Sequence, residues 1–200
     1  MRMLVVVFVT VSFLSATAGA APYDQLFELG RSWKYRSAEE VKYGDEPPQH
    51  ASATAECRVA SVKRLGGATV STIECDEIYG GTVGIAGQWV RTSRGLWHAY
   101  VSGELESATE LRRLIRTPPV IAARPRVVPR RASTKDEFAP ERWVTRDGAT
   151  WCAHDAAEEA NGGHDSSVCF ADGRIVSMES SGWSYGEGGS ESSSTTELIP

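Results

Sequence analysis

The chain has 200 residues with 21 basic and 26 acidic side chains, a formal net charge of −5. This acidic balance gives no electrostatic reason to expect a nucleic acid or an anionic membrane surface as a partner. About 180 residues follow the first twenty, which is enough for one sizeable hydrophobic core. We therefore expect residues 21–200 to form a single domain.

The first twenty residues have the pattern of a cleavable export signal. Arg2 precedes an apolar run from Leu4 to Leu14, and the small residues Ala18-Gly19-Ala20 follow. At about 1.5 Å per residue, this run is too short to cross a hydrocarbon core of about 30 Å. We predict a signal peptide over residues 1–20 with cleavage after Ala20. The mature protein is then periplasmic or extracellular and not transmembrane.

Four cysteines lie in the remaining chain, at Cys57, Cys75, Cys152 and Cys169. An even number of cysteines in an exported chain indicates disulfides, here two of them. Three pairings are possible. We favour Cys57–Cys75 and Cys152–Cys169, because each pair flanks a plausible hairpin.

Short β-prone runs separated by glycine turns recur along the mature chain. The turns are centred on Gly66-Gly67, Ser93-Arg94-Gly95, Arg146-Asp147-Gly148 and Ala171-Asp172-Gly173. Such spacing is typical of an antiparallel meander and not of βαβ units. We expect a mainly β fold, a twisted antiparallel sheet curved into an open half-barrel, with at most one short helix.

The first of these turns makes a prediction about register. If Leu65-Gly66-Gly67 forms a three-residue loop, Arg64 lies opposite Ala68, and Cys57 then lies directly opposite Cys75. The predicted disulfide would link adjacent strands. A slip of one residue would remove this alignment.

Three further segments have distinct patterns. Residues 104–115 have apolar residues at helical spacing and are closed by Pro118-Pro119, which predicts a short helix. The segment 117–131, rich in proline and arginine, is predicted to be an extended connector or a sheet edge.

The segment 180–196 is rich in serine and glycine, which is compatible with disorder or with a last hairpin. We favour a hairpin that turns at Gly188-Gly189. In that hairpin Trp183 and Tyr185 would be matched by the apolar pair Leu198-Ile199.

The aromatic residues are the best candidates for a ligand site. Large rings on strands more often form core than a ligand cage. A curved sheet with tryptophans on its concave face would nevertheless form an apolar pocket. On this basis Trp33, Tyr35, Trp89 and Trp97 are the candidate ligand-binding residues.

Two histidine–aspartate pairs, His154-Asp155 and His164-Asp165, frame the stretch between Cys152 and Cys169, which we interpret as a loop. Such side chains can hold a divalent metal, but zinc sites usually place two ligands only a few residues apart. These residues are therefore weak metal candidates. We expect no metal site and no cofactor.

No hydrolase motif is recognised in its usual context. S-x-x-K is absent, and the single G-x-S-x-G match, Gly182 to Gly186, lies in the serine- and glycine-rich segment. Nothing else marks a serine that His50 or His98 would activate. Oxidised cysteines cannot act as nucleophiles. An enzymatic role is therefore unassigned and disfavoured, and no catalytic residue is named.

Charge is unevenly distributed. Residues 112–146 are strongly basic, and residues 147–200 are acidic except for Arg174. The arginine-rich connector would then lie near the acidic part of the same molecule. The alternative is a cationic strip for an anionic partner, such as a cell-wall polymer or a lipid head group.

The eleven residues Leu26–Arg36, with their leucine-glycine-x-x-tryptophan-x-tyrosine run, resemble the first strand of many uncharacterised exported bacterial β-proteins. The later Gly95-Leu96-Trp97 and Asp172-Gly173 turns look like their repeated hairpins. The resemblance implies an open half-barrel of the lipoprotein-carrier type and supplies no catalytic residues.

We hypothesise a non-enzymatic binding or envelope-associated module, with an apolar small molecule or another envelope protein as partner. A secreted hydrolase with unidentified catalytic residues and a purely structural surface protein are the alternatives. A dry, apolar concave face would favour the binding module. A buried acid–base pair in a cleft would favour the hydrolase.

Overall fold

The computed structural model describes residues 21–76, 84–99, 105–128, 141–186 and 188–200. The predicted signal peptide, residues 1–20, lies outside these ranges. The described residues form eleven β-strands, one α-helix (α1, Ala108–Leu114) and a short 3-10 helix (Asp24–Phe27). The strands are β1 Ser32–Tyr43, β2 Gln49–Leu65, β3 Ala68–Cys75, β4 Gly87–Thr92, β5 Gly95–Ala99, β6 Ile121–Ala122, β7 Glu141–Asp147, β8 Thr150–Glu159, β9 Gly162–Ala171, β10 Arg174–Ser184 and β11 Ser190–Ile199.

All eleven strands belong to one antiparallel sheet, in the order β6-β5-β4-β3-β2-β1-β11-β10-β9-β8-β7. The sheet curls so that strands distant in the sheet order come into contact. Trp89 on β4 contacts Phe170 on β9 edge to face, with ring centroids 6.4 Å apart, although five strands lie between them in the sheet. The predicted mainly β, half-barrel fold is confirmed, and the half-barrel is nearly closed.

The four predicted turns are confirmed, and each connects its strands by two residues. The paired strand ends are Leu65 and Ala68, Thr92 and Gly95, Asp147 and Thr150, and Ala171 and Arg174. Positive φ values at both central residues, +53° and +87° for Gly66-Gly67, match the twist that two-residue hairpins require.

Both predicted disulfides are present, with Cα–Cα distances of 4.0 Å. The predicted three-residue loop before Ala68 is wrong, because Arg64 pairs with Thr69. Cys57 nevertheless lies opposite Cys75, because a β-bulge between Val59 and Ser61 adds the residue that the shorter turn removes.

The bulge also changes which side chains of β2 reach the core. Strict alternation would place Val59 and Ser61 on the same face. Instead, Val59 and Val62 pack in the interior cluster, and the Ser61 hydroxyl donates to Thr72 Oγ1 at 3.0 Å. One extra residue therefore fixes both the disulfide register and the core composition of this strand.

Helix α1 begins later than predicted. Ser107 caps its first turn, and Glu110 completes a capping box by accepting from the Ser107 backbone. Leu105 is buried but precedes the helix. Its N–H donates to the Gln88 side chain at 2.6 Å and not to the helix. The part of the predicted helix at residue 104 lies outside the described residues.

The connector joins the two ends of the sheet. Ile121–Ala122 forms the short edge strand β6 beside β5. Further along, Val127 makes a single parallel bridge to Val144 on β7, and the Val128 N–H donates to the Val144 carbonyl at 2.9 Å. The described part of the connector, up to residue 128, therefore forms an edge strand beside β5. It also crosses the seam between β5 and β7 and pairs with β7.

The serine-rich segment forms the predicted hairpin. The predicted match of Trp183 and Tyr185 with Leu198-Ile199 is wrong. Trp183 pairs with Glu191, while Leu198 pairs with Tyr35 on β1. The turn lies next to the start of β11, so the apolar end of that strand is far from Trp183. Backbone pairing with strands on both sides sustains a sequence that has few apolar side chains.

The inner face of the barrel holds the larger hydrophobic cluster, which includes Trp33, Tyr35, Trp89, Phe170 and Ile175. The 3-10 helix packs Leu26 and Phe27 into it. A smaller cluster on the outer face of β3–β5 is covered by α1 through Leu111. Among the described helices, none is long and apolar enough to span a membrane.

Candidate functional site

A cavity of about 250 Å³ lies inside the barrel where β5 faces β7–β9; we call it the seam cavity. The predicted ligand-binding residues Trp89 and Trp97 both belong to its lining, but from opposite faces of the sheet. Trp89 is in the interior cluster, whereas Trp97 is in the outer cluster that α1 covers. Its lining residues are Trp89, Trp97, His98, Thr117, Pro118, Val120, Arg142, Ala153, His154, Asp155, Ser166, Val168 and Met178.

The inner wall of the seam cavity is apolar. Val168 and Met178 face the interior from β9 and β10, and Ala153 joins them from β8. Trp89 is fully buried, and its indole N–H donates to the Ile85 carbonyl at 2.9 Å. The indole therefore presents only apolar atoms to the cavity.

His98 covers one face of the Trp89 indole, with ring centroids 4.2 Å apart. Its Nε2 lies 3.0 Å from the Ala86 carbonyl oxygen. Burial lowers the His98 pKa to about 4, because the charged ring would lack the hydration that stabilises it in water. The imidazole is neutral near pH 7 and adds an uncharged surface to the cavity.

Charge is confined to the side of the cavity formed by β7 and β8. Arg142 Nη2 donates to Asp155 Oδ2 at 2.5 Å, and Arg142 Nη1 lies 3.4 Å from the Pro118 carbonyl oxygen. Arg142 therefore connects the last strands of the sheet to the connector. An apolar interior beside this ion pair and the Ser166 hydroxyl suits a molecule with one apolar part and one polar end.

The four predicted ligand-binding residues are all buried, but they do not form one cage. Trp33 and Tyr35 pack within the interior cluster and are absent from the lining of the seam cavity. The Tyr35 hydroxyl donates to the Ile175 carbonyl at 3.0 Å. Trp89 and Trp97 do line the cavity, so these two remain the ligand candidates.

The seam cavity also contains residues that the sequence did not single out. Val168, Met178 and Arg142 come from strands far from Trp89 in the chain. The Ala171-Asp172-Gly173 turn predicted a strand on either side of it, but only the curling of the sheet brings Val168 close to β4 and β5.

The predicted loop between Cys152 and Cys169 is wrong: β8 and β9 continue through it and turn after Glu159. The weak metal candidates are therefore divided between the two faces of the sheet. Asp155 and His164 lie on the inner face, and His154 and Asp165 lie on the outer face. Within the described ranges, no three His, Cys, Asp or Glu side chains are grouped as metal ligands.

The two histidines considered for a hydrolase have different surroundings. His50 is exposed on β2, where its Nδ1 lies 3.3 Å from Glu40 Oε2. His98 is a weak base at neutral pH because its pKa is lowered. These positions add no catalytic residue to the site.

A second and larger concavity lies on the outer face of β7–β11, beside the connector; we call it the outer groove. It has a volume of about 780 Å³. Its lining residues are Val127, Val128, Trp143, Thr145, Arg146, Asp147, Cys152, His154, Asp165, Ser166, Ser167, Glu179, Ser180, Ser181, Ser193, Ser194 and Thr195.

No protein-family model matches the chain, and no curated protein matches it. Among solved structures, a LolA superfamily protein from Nitrosomonas europaea is similar at 9% sequence identity and a TM-score of 0.20. The similarity covers 90% of this chain and 91% of that one.

Proposed function

We propose that this protein is a non-enzymatic binding module that holds the apolar part of a small amphiphilic molecule in the seam cavity. One observation carries the proposal: a hollow inside the barrel with a wall of Trp89, Val168 and Met178, beside the ion pair of Arg142 and Asp155. A protein that filled its interior completely would have no such space, because protein interiors pack as densely as organic crystals.

The volume of the seam cavity limits the ligand. At about 250 Å³ it lies just below the range of about 300–1,000 Å³ that is usual for small-molecule sites. A medium-length acyl chain or a similar apolar group fits this description better than a complete membrane lipid. The proposed compartment is the periplasm or the extracellular space, as the two disulfides favour.

The proposal is tested by calorimetric titration of residues 21–200, with the disulfides oxidised, against decanol and decanoate. We expect saturable binding of one molecule per chain. Val168→Phe fills the cavity and should weaken binding of both probes at least tenfold, which corresponds to about 1.4 kcal/mol.

Ser52→Phe is the matched control, because Ser52 is exposed on β2 and does not belong to the cavity lining. It adds the same ring to a strand and should leave binding unchanged. Circular dichroism and thermal unfolding verify that each variant folds. Failure of both probes to bind the folded protein would contradict the proposal, as would equal binding by Val168→Phe.

A further inference from the structure

The outer groove has a regular floor of polar side chains. Trp143, His154, Ser167, Glu179 and Thr195 form one row across five neighbouring strands, each paired with the next. Directly paired residues of antiparallel strands point to the same face, about 5 Å apart. All five therefore face the groove, and all five line it.

A second row, formed by Asp165, Ser181 and Ser193, lies two residues away on the same face. Within the described part of the chain, the hydroxyls of Ser167, Ser181, Ser193 and Thr195 have no side-chain hydrogen-bond partner. These hydroxyls are thus available, in register, to a ligand that both donates and accepts hydrogen bonds.

One end of the first row carries an aromatic surface. The Trp143 indole is half-buried and stacks on His154, with ring centroids 4.9 Å apart and planes 6° from parallel. Thr145 Oγ1 lies 2.9 Å from His154 Nε2 and fixes that imidazole. The Cys152–Cys169 disulfide ties two strands of the floor together. The stacked rings of Trp143 and His154 are therefore held in place beside the two rows of hydroxyls.

The chemistry of the lining selects the ligand. Five serine or threonine side chains of the lining face the groove, namely Thr145, Ser167, Ser181, Ser193 and Thr195. Arg146 is the single lysine or arginine in the lining. An anionic ligand would meet Asp147, Asp165 and Glu179, and an apolar ligand would strip water from many hydroxyls. A neutral polyhydroxylated ligand satisfies the hydroxyls and carboxylates and can also lie with its apolar face on an indole.

We propose that the outer groove is a binding site for a neutral oligosaccharide, with one sugar ring on Trp143 and its hydroxyls bonded to the two polar rows. This proposal does not rest on the proposed function of the seam cavity, although His154 and Ser166 belong to the lining of both sites. Carboxylates at Glu179 and Asp165 accept hydrogen bonds from sugar hydroxyls, and the serines complete the pattern.

The test is binding of fluorescently labelled residues 21–200 to an array of linear neutral oligosaccharides, in low and high salt. We expect binding to at least one sugar family, little changed by salt. Trp143→Ala should lower the affinity for that sugar at least tenfold. The double variant Ser181→Val with Ser193→Val should lower it similarly, and valine suits strand positions.

Ser192→Val is the matched control, since Ser192 is exposed on the same strand but outside the groove lining. It should bind the sugar as the unaltered protein does. Decanol binding in the seam cavity should survive Trp143→Ala, so the two proposals fail independently. Binding to no oligosaccharide of the array, or salt-sensitive binding to polylysine alone, would overturn the proposal.

Discussion

At the scale of single residues, the two most informative side chains are polar groups buried in the barrel. Tyr35 and His98 each have a hydrogen-bond contact with a backbone carbonyl oxygen, at Ile175 and Ala86 respectively. The sequence identified Tyr35 as an aromatic strand residue and His98 as part of a strand pattern. Their partners lie 140 and 12 residues away in the chain, so local patterns could not reveal them.

His98 should make the stability of the protein depend on pH. Its pKa is lowered from 6.5 to about 4 in the folded state, so the unfolded chain binds the proton more readily. The stabilisation from the neutral ring is therefore lost as pH falls from about 6.5 to about 4. We expect the free energy of unfolding to decrease by about 2–3 kcal/mol from this group.

Urea unfolding of the protein and of His98→Phe at several pH values measures this contribution. The variant should lose less stability than the unaltered protein between pH 6.5 and pH 4. Parallel pH profiles for the two proteins would show that His98 is not responsible.

Tyr35→Phe should lower the free energy of unfolding by about 1–2 kcal/mol, because the buried Ile175 carbonyl loses its donor. The ring itself remains and keeps its packing. Chemical denaturation followed by circular dichroism measures the change. An unchanged midpoint would mean that water replaces the phenol hydroxyl.

At the scale of elements, the sequence predicted where the glycine turns lie, but it did not predict how many residues each turn contains. The glycine turns were identified correctly, but the Gly66-Gly67 turn is one residue shorter than expected, and a bulge compensates for it. No residue pattern in β2 distinguishes a bulge from continued alternation. The Asn161-Gly162 dipeptide after β8 was a usable hairpin signal, but the stretch was interpreted as a loop around a weak metal site.

The two-residue turn predicts a clear difference between two substitutions at Gly67. Its φ is +87° and no atom lies within 4 Å of the position that a Cβ atom would take, so backbone conformation alone decides the effect. Gly67→Val should lower the free energy of unfolding by about 1–3 kcal/mol. Gly67→Asn should cost less, because asparagine tolerates positive φ. Equal effects in thermal or urea unfolding would contradict this account of the turn.

At the scale of the whole molecule, the curl of the sheet creates the seam cavity, and the connector residues Val127 and Val128 border the outer groove. The sequence supported a curved antiparallel sheet and candidate tryptophans, of which Trp89 and Trp97 line the seam cavity. It could not show that β4 and β5 would meet β8–β10, because that contact depends on the accumulated twist of eleven strands. The outer groove was missed because its lining comes from five strands and the connector, whereas the sequence showed its C-terminal serines only as part of a predicted hairpin.

The seam should be the easiest part of the barrel to open. Val127 and Val144 make one bridge across it, and Arg142 adds contacts to Asp155 and Pro118. Removing the guanidinium with Arg142→Met should speed hydrogen exchange of the Val128 amide about fivefold, as expected for an exposed ion pair. Amides between β1 and β2 serve as the internal reference. Uniform acceleration across the sheet would indicate general destabilisation instead.

The most direct test of ligand binding in the seam cavity is to locate a bound probe. A crystal of residues 21–200 soaked with 10-bromodecanoic acid would be measured at the bromine absorption edge. We predict one bromine site inside the barrel, in contact with the side chains of Trp89, Val168 or Met178. A bromine found only outside the barrel, or no ordered bromine at saturating concentration, would contradict the proposal that this cavity holds an apolar chain.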